Sequence, residues 1–165
     1  MNKVVTIGVI GFTAGEFFDA LQIAGVDTLV DIRRRRAVRG RDYAFANSQR
    51  LQARLAELGI RYLHRLDLAP GDATREAQAA ADRAAGIARR QRTSLGPAFV
   101  DAFEHDVLAH FDPQSLLGDL PPDARVVALL CVEREPAACH RSLVAARLNE
   151  VIGVPVQHIV PANGS

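Results

Sequence analysis

Between Cys131 and Ser142 the chain reads Cys-Val-Glu-Arg-Glu-Pro-Ala-Ala-Cys-His-Arg-Ser, which gathers two thiols, two carboxylates, an imidazole and two guanidinium groups. The apolar run Val126-Val127-Ala128-Leu129-Leu130 before it reads as a buried strand, and a helix is expected from Cys139 through Leu148. Open parallel sheets place ligands at this kind of junction, outside the carboxyl ends of their strands. The free N–H groups and dipole of the helix start favour an anion by about 0.3–1 kcal/mol, and Arg141 offers a bidentate partner for a phosphate or carboxylate. Beside Arg141 and a protonated His140, the Cys139 thiol is expected to fall from about 8.5 towards neutrality and to serve as a nucleophile. Glu133 or Glu135 would then act as general acid or base, with His140 orienting the group. The competing reading makes Cys139 a small buried residue without reactivity. Cys131 reads as core. Two cysteines eight positions apart do not reproduce the short Cys-x2-4-Cys pairs of structural zinc sites, so neither a metal nor a cofactor is expected.

A second constellation, Asp31-Ile32-Arg33-Arg34-Arg35-Arg36-Ala37-Val38-Arg39-Gly40-Arg41, puts six arginines in nine positions at the end of another strand-like run. Arg33, directly after the strand, is expected inside the pocket, with Asp31 available to hold it. Arg36 and its neighbours, followed by Tyr43 and Phe45, form the combination suited to phosphate contacts and base stacking. A solvated charged loop is the plainer alternative. Gly8-x-x-Gly11 lacks the spacing of a dinucleotide fingerprint and reads as a turn that lets backbone approach a ligand or a neighbouring helix. His64, closing a third strand, reads as a satisfied structural histidine.

The elements that must carry these residues alternate. Strands are expected over 4–10, 27–32, 60–64, 126–132 and 154–160, with Pro155 favouring an edge, and helices after Gly15, from Asn47 to Leu58 and from Pro97 to Phe111. This is the pattern of a three-layer α/β domain with a mostly parallel sheet of about five strands flanked by helices. The alanine- and arginine-rich stretch 74–92 is expected to be helical but polar on several sides, an exposed or mobile excursion.

At 165 residues a single domain spanning 1–165 is the default, and 48% hydrophobic with 24% charged residues excludes disorder over most of it. No apolar stretch approaches a membrane span, and no signal-like segment opens the chain, so a cytoplasmic protein with reduced thiols is expected. Net charge is only +1, yet residues 33–65 carry ten arginines against Asp42 and Glu57, while 101–136 carry eight acids against two arginines. Such asymmetry attracts phosphate-bearing partners, and it also allows a homodimer joining basic and acidic parts.

Thr6-Ile7-Gly8, Glu16-Phe17, Val30-Asp31-Ile32-Arg33, Gly59-Ile60-Arg61-Tyr62, Cys131-Val132-Glu133 and Cys139-His140-Arg141-Ser142, in this order over nearly the whole chain, resemble the family called domain of unknown function 488. The Cys-x-Glu and Cys-His-Arg pieces are the specific part, and the arginine-rich loop looks like the mark of one branch. Many members resemble Thr-Ile-Gly-His-Ser at the first turn, where this chain has Val9 and Ile10, so chemistry that needs that histidine is not expected here. The resemblance implies fold and site position, not an activity. Two functions follow from the residues: an enzyme acting on a phosphate-bearing small molecule or nucleic acid, or a non-catalytic nucleic-acid-binding module that uses the arginine-rich loop.

Overall fold

The computed structural model describes residues 1–162. Each apolar run becomes a short strand: β1 (Lys3–Ile7), β2 (Thr28–Asp31), β3 (Arg61–His64), β4 (Val126–Leu130) and β5 (Val156–Ile159). They form one parallel sheet in the order β3-β2-β4-β1-β5. The central strands β1, β2 and β4 are almost wholly buried, which is why their sequences are continuous apolar runs instead of alternating ones. Pro155 precedes the edge strand β5, and its carbonyl accepts from Val4 N–H at 3.0 Å.

Helices α1 (Ala14–Ile23) and α2 (Ser48–Glu57) cover one face of the sheet. A Thr13–Glu16 capping box starts α1. Asn47 precedes α2 as expected, but its side chain accepts from Val38 N–H (2.9 Å) and so pins the arginine-rich loop instead of capping the helix. On the other face lie α4 (Pro97–Asp106), α5 (Pro113–Asp119) and α6 (His140–Ile152), with α3 (Asp72–Ala85) against α4. The helix expected through Phe111 stops at Asp106 and gives way to a single turn at Leu108–His110. Pro113 opens α5 instead of merely punctuating a connection: Asp112 caps Gln114 N–H at 2.9 Å, and a proline in the first turn has no N–H to lose.

The chain leaves β2 towards β3 and leaves β4 towards β5, in opposite directions along the sheet. The crevice between the ends of β2 and β4 is therefore the switch point where an open parallel sheet receives ligands. No helix of the described residues is long and apolar enough to cross a membrane.

Candidate functional site

Three strand ends meet at the crevice. Cys131 N–H donates to Ile7 carbonyl and Ile32 N–H to Leu130 carbonyl, each at 3.2 Å. The first turn then clamps the loop after β4: Val9 and Ile10 N–H groups both donate to the Val132 carbonyl, at 3.0 and 3.1 Å. Gly8 is what admits this approach, because a Cβ there would fall 1.8 Å from the Glu133 carbonyl oxygen. The expected close approach of backbone is to this loop.

Cys139 sits at the N-cap of α6, and its sulfur is 3.9 Å from Nδ1 of His140. The Cys131 sulfur lies 3.6 Å from the same nitrogen. His140 Nε2 is 3.0 Å from the Ile32 carbonyl, which can only accept, so Nε2 carries a proton; the Cys131 sulfur, 4.0 Å from Nε2 as well, lies beside the ring. Burial works to hold the Cys139 thiol up, but a hydrogen bond from Cys131 and the charges of His140 and Arg141 outweigh it and pull that thiol well below its ordinary value. Cys131 moves the other way, pushed well up by its hydrogen bond to Cys139 and by burial. If one proton is lost from the pair, Cys139 bears the charge.

The arginines expected to meet an anion have other work. Arg141 is fully buried and donates to the carbonyls of Glu133 (2.5 Å) and Arg134 (2.9 Å), stitching the loop to α6. Its Nε has no hydrogen-bond partner among the described residues. Arg33, 2% exposed, grips Asp31 through Nε (2.9 Å) and Nη2 (2.8 Å) and reaches the Ala46 carbonyl at 2.9 Å. Its donor fork is consumed inside the chain, because Asp31 is wholly buried and needs a cation more than a solvent-facing ligand does. Arg36 turns to the Tyr62 hydroxyl at 3.4 Å, and that hydroxyl donates to Asp31 at 2.7 Å. Tyr43 accepts from Gly11 N–H at 3.3 Å and lies 6.4 Å from Phe45, which packs on Phe17 and Phe18. The expected stacking pair is thus built into the hydrophobic layer under α1. His64 is satisfied, with Nε2 3.0 Å from the Arg33 carbonyl.

A cavity of about 650 Å³ opens between the β2 and β4 loops, roofed by α3 and the turn after it. Eight arginines and four carboxylates line it, with Cys131, Cys139, His140 and Glu133 on its wall. Arg34, Arg35 and Arg39 come from the arginine-rich loop, and Arg35 and Arg39 hold no side-chain partner among the described residues. The stretch 74–92 is therefore no mere excursion. Thr74, Gln78 and Asp82 form a buried polar stripe on α3. Gln78 bonds Asp82 (2.8 Å) and Gly96 N–H (2.7 Å), and Arg92 bonds Asp82 at 2.7 Å and lies 3.5 Å from Glu133. Arg89 closes on Glu133 at 2.7 Å.

A profile of the family described as "Domain of unknown function DUF488" matches residues 13–148. The chain belongs to this family. The match runs from the cap of α1 into α6, so the DUF488 domain takes in the arginine-rich loop, the roof and the Cys131–Arg141 loop together. Comparison with curated proteins and with solved structures gave no match.

Sequence reasoning read Cys131 as core, and it is buried, but its nearness to Cys139 and His140 went unseen, as did Arg89 and Arg92. Cys131 ends an apolar run, which favoured core, and a spacing of eight hides the fact that a strand end and the following helix start are neighbours in a parallel fold. For Arg89 and Arg92 a signal existed: Thr74, Gln78 and Asp82 recur every fourth residue, so one polar face of α3 needs buried partners.

Proposed function

We propose that this DUF488 domain binds a small phosphate-bearing molecule in the arginine-lined cavity and acts on it at the Cys139–His140–Glu133 wall. The observation that carries the reading is the cavity itself: eight arginines against four carboxylates around about 650 Å³, the size of a small-molecule pocket. All four acids are already matched by arginines: Asp82 by Arg92, Glu133 by Arg89, Asp72 by Arg34 and Arg75, and Glu76 by Arg83. Arg35 and Arg39 stand ready for an anion. The ligand-binding role expected of Arg33 and Arg141 passes to these rim arginines, while Asp31 holds Arg33 and Arg36 turns to Tyr62.

Titration calorimetry with inorganic phosphate, mononucleotides and short single-stranded oligonucleotides tests this. A charged hydrogen bond is worth about 1.5–3 kcal/mol, so Arg35→Ala/Arg39→Ala should weaken mononucleotide binding tenfold or more. A folded double variant that binds a mononucleotide as the parent does would overturn the reading.

The exposure of Arg34, Arg35, Arg39 and Arg41 along one loop supports a second reading, a nucleic-acid-binding module. Its mark is affinity that rises with oligonucleotide length and whose logarithm falls with log salt by about 0.7 per phosphate contacted. The packing of Tyr43 and Phe45 weighs against it: both rings are half-buried, the Arg90 guanidinium lies 5.3 Å from the Tyr43 ring centre, and Phe45 packs on Phe17 and Phe18.

A further inference from the structure

We propose that Cys131, Cys139 and His140 form the binding site of a zinc-like divalent ion, with the fourth coordination position open to the arginine-lined cavity. The site rests on geometry of its own; only the identity of what meets its fourth position rests on the anion-binding reading above.

A tetrahedral zinc with bonds of about 2.3 Å to sulfur and about 2.0–2.1 Å to nitrogen separates sulfur from nitrogen by roughly 3.6 Å. The two sulfurs lie 3.6 and 3.9 Å from His140 Nδ1, and the three ligand atoms all fall within 4.8 Å of one another. The Cys131 sulfur is also 4.0 Å from Nε2 and so lies beside the ring, and an ion is admitted among the three ligand atoms once the His140 ring turns Nδ1 to face it. The second shell is in place as well. Metal-bound histidines usually give their other ring N–H to a carbonyl or carboxylate, and His140 gives Nε2–H to the Ile32 carbonyl at 3.0 Å. Two thiolates and one imidazole suit zinc above the hard cations, which prefer oxygen.

The site comes from two rigid pieces, the end of β4 and the start of α6. The clamp of Gly8, Val9 and Ile10 on the 132–133 loop and the Arg141 bonds to the Glu133 and Arg134 carbonyls hold these pieces together. Three protein ligands with a cavity on the fourth side is the arrangement of catalytic zinc sites, while structural sites are closed by four. The fourth position takes a water or an anionic oxygen of the ligand, and on this view the two thiols are ligands, not attacking groups.

The test uses the full chain, reduced and stripped of metal, titrated with Zn²⁺ against a chromogenic chelator and separately with Co²⁺. The expected result is one equivalent bound, with the intense visible bands of tetrahedral cobalt and its thiolate charge-transfer absorption. Cys131→Ser and Cys139→Ser should each loosen zinc by a hundredfold or more. X-ray absorption on the zinc-loaded wild type, which needs no variant to fold, should give two sulfurs and two lighter ligands. Two freely titrating thiols with no stoichiometric ion bound would overturn the site, as would zinc binding unchanged in folded Cys131→Ser. Phosphate and mononucleotide binding is measured on the same stripped and loaded samples. Anion binding by a chain that takes up no metal refutes this site and leaves the cavity reading standing; stoichiometric metal uptake without anion binding in either sample does the reverse.

Discussion

Arg33→Ala separates structure from ligand binding most directly. The guanidinium of Arg33 and the carboxylate of Asp31 are 1% and 0% exposed and meet through two hydrogen bonds of 2.9 and 2.8 Å. Removing the arginine leaves Asp31 with the Tyr62 hydroxyl at 2.7 Å and the backbone N–H of residue 33 at 3.1 Å, but with no cation of its own. Losing one member of a buried pair costs about 3–5 kcal/mol, and the Ala46 carbonyl loses a donor worth about 1 kcal/mol more. With a slope of about 2 kcal/mol per molar, the urea midpoint falls by about 2–3 M. Asp31→Asn/Arg33→Met removes both charges and should recover part of that loss, giving a coupling above about 1 kcal/mol in the double-mutant cycle. The assay is urea unfolding followed by circular dichroism, with mononucleotide affinity measured on each folded variant. A loss of stability under about 1 kcal/mol together with abolished binding would refute the structural assignment and return Arg33 to the ligand.

Gly8→Ala should destabilise by about 1–3 kcal/mol, because the 1.8 Å contact with the Glu133 carbonyl forces the loop aside; calorimetry would record a midpoint lower by roughly 2–4 °C per kcal/mol. Arg92→Ala should cost more than Arg89→Ala, since the Arg92 side chain is 10% exposed between Asp82 and Glu133 while that of Arg89 is 61% exposed; faster amide exchange across α3 in the first variant alone would confirm it. Asp27 supplies a pH test: burial alone would raise its carboxyl, yet the N–H groups of Val126 and Arg125, the Thr28 hydroxyl and Arg61 hold it below 3.8. A carboxyl lowered on folding adds stability above its unfolded value and loses it as acid carries the pH down through the folded value, so Asp27→Asn should flatten the acid limb of stability against pH. An unchanged limb would count against the assignment.

The parallel order of the strands and the placing of the Cys131–Ser142 loop at a strand end were legible because fully buried strands leave continuous apolar runs, as in Val126–Leu130. Legible too was Cys139 at the start of a helix, since Pro136 and the following small residues must end one element before the next begins. The division of labour among the arginines was not. Sequence places Arg33 and Arg141 correctly after a strand and near a helix start, and Arg33 does line the cavity, but whether a guanidinium is free to meet a ligand depends on which buried acceptors the fold leaves unpaired. Here Asp31, Ala46, Glu133 and Arg134 all present such acceptors. Cys131 and the roof arginines were hidden for a related reason, because contacts between strand end, helix start and a distant helix leave no periodic trace.

The charge asymmetry gains its meaning from the same geometry. Of the acids of residues 101–136, Glu133 lines the cavity, but Asp101, Glu104, Asp112, Asp119 and Asp123 lie exposed along α4, α5 and the turn before β4. The arginines instead converge on the crevice from both sides, from the loop after β2 and from the turn after α3. A chain of net charge +1 thereby keeps a positive interior cavity while its far surface stays acidic. A cavity walled by low-dielectric protein focuses that charge more strongly than an open surface does. An anion small enough to enter it should therefore be held with less loss to salt than a polyanion laid along the exposed loop. Mononucleotide affinity that survives an increase in salt which strips oligonucleotides would place the ligand inside the cavity, and the opposite order would place it on the rim.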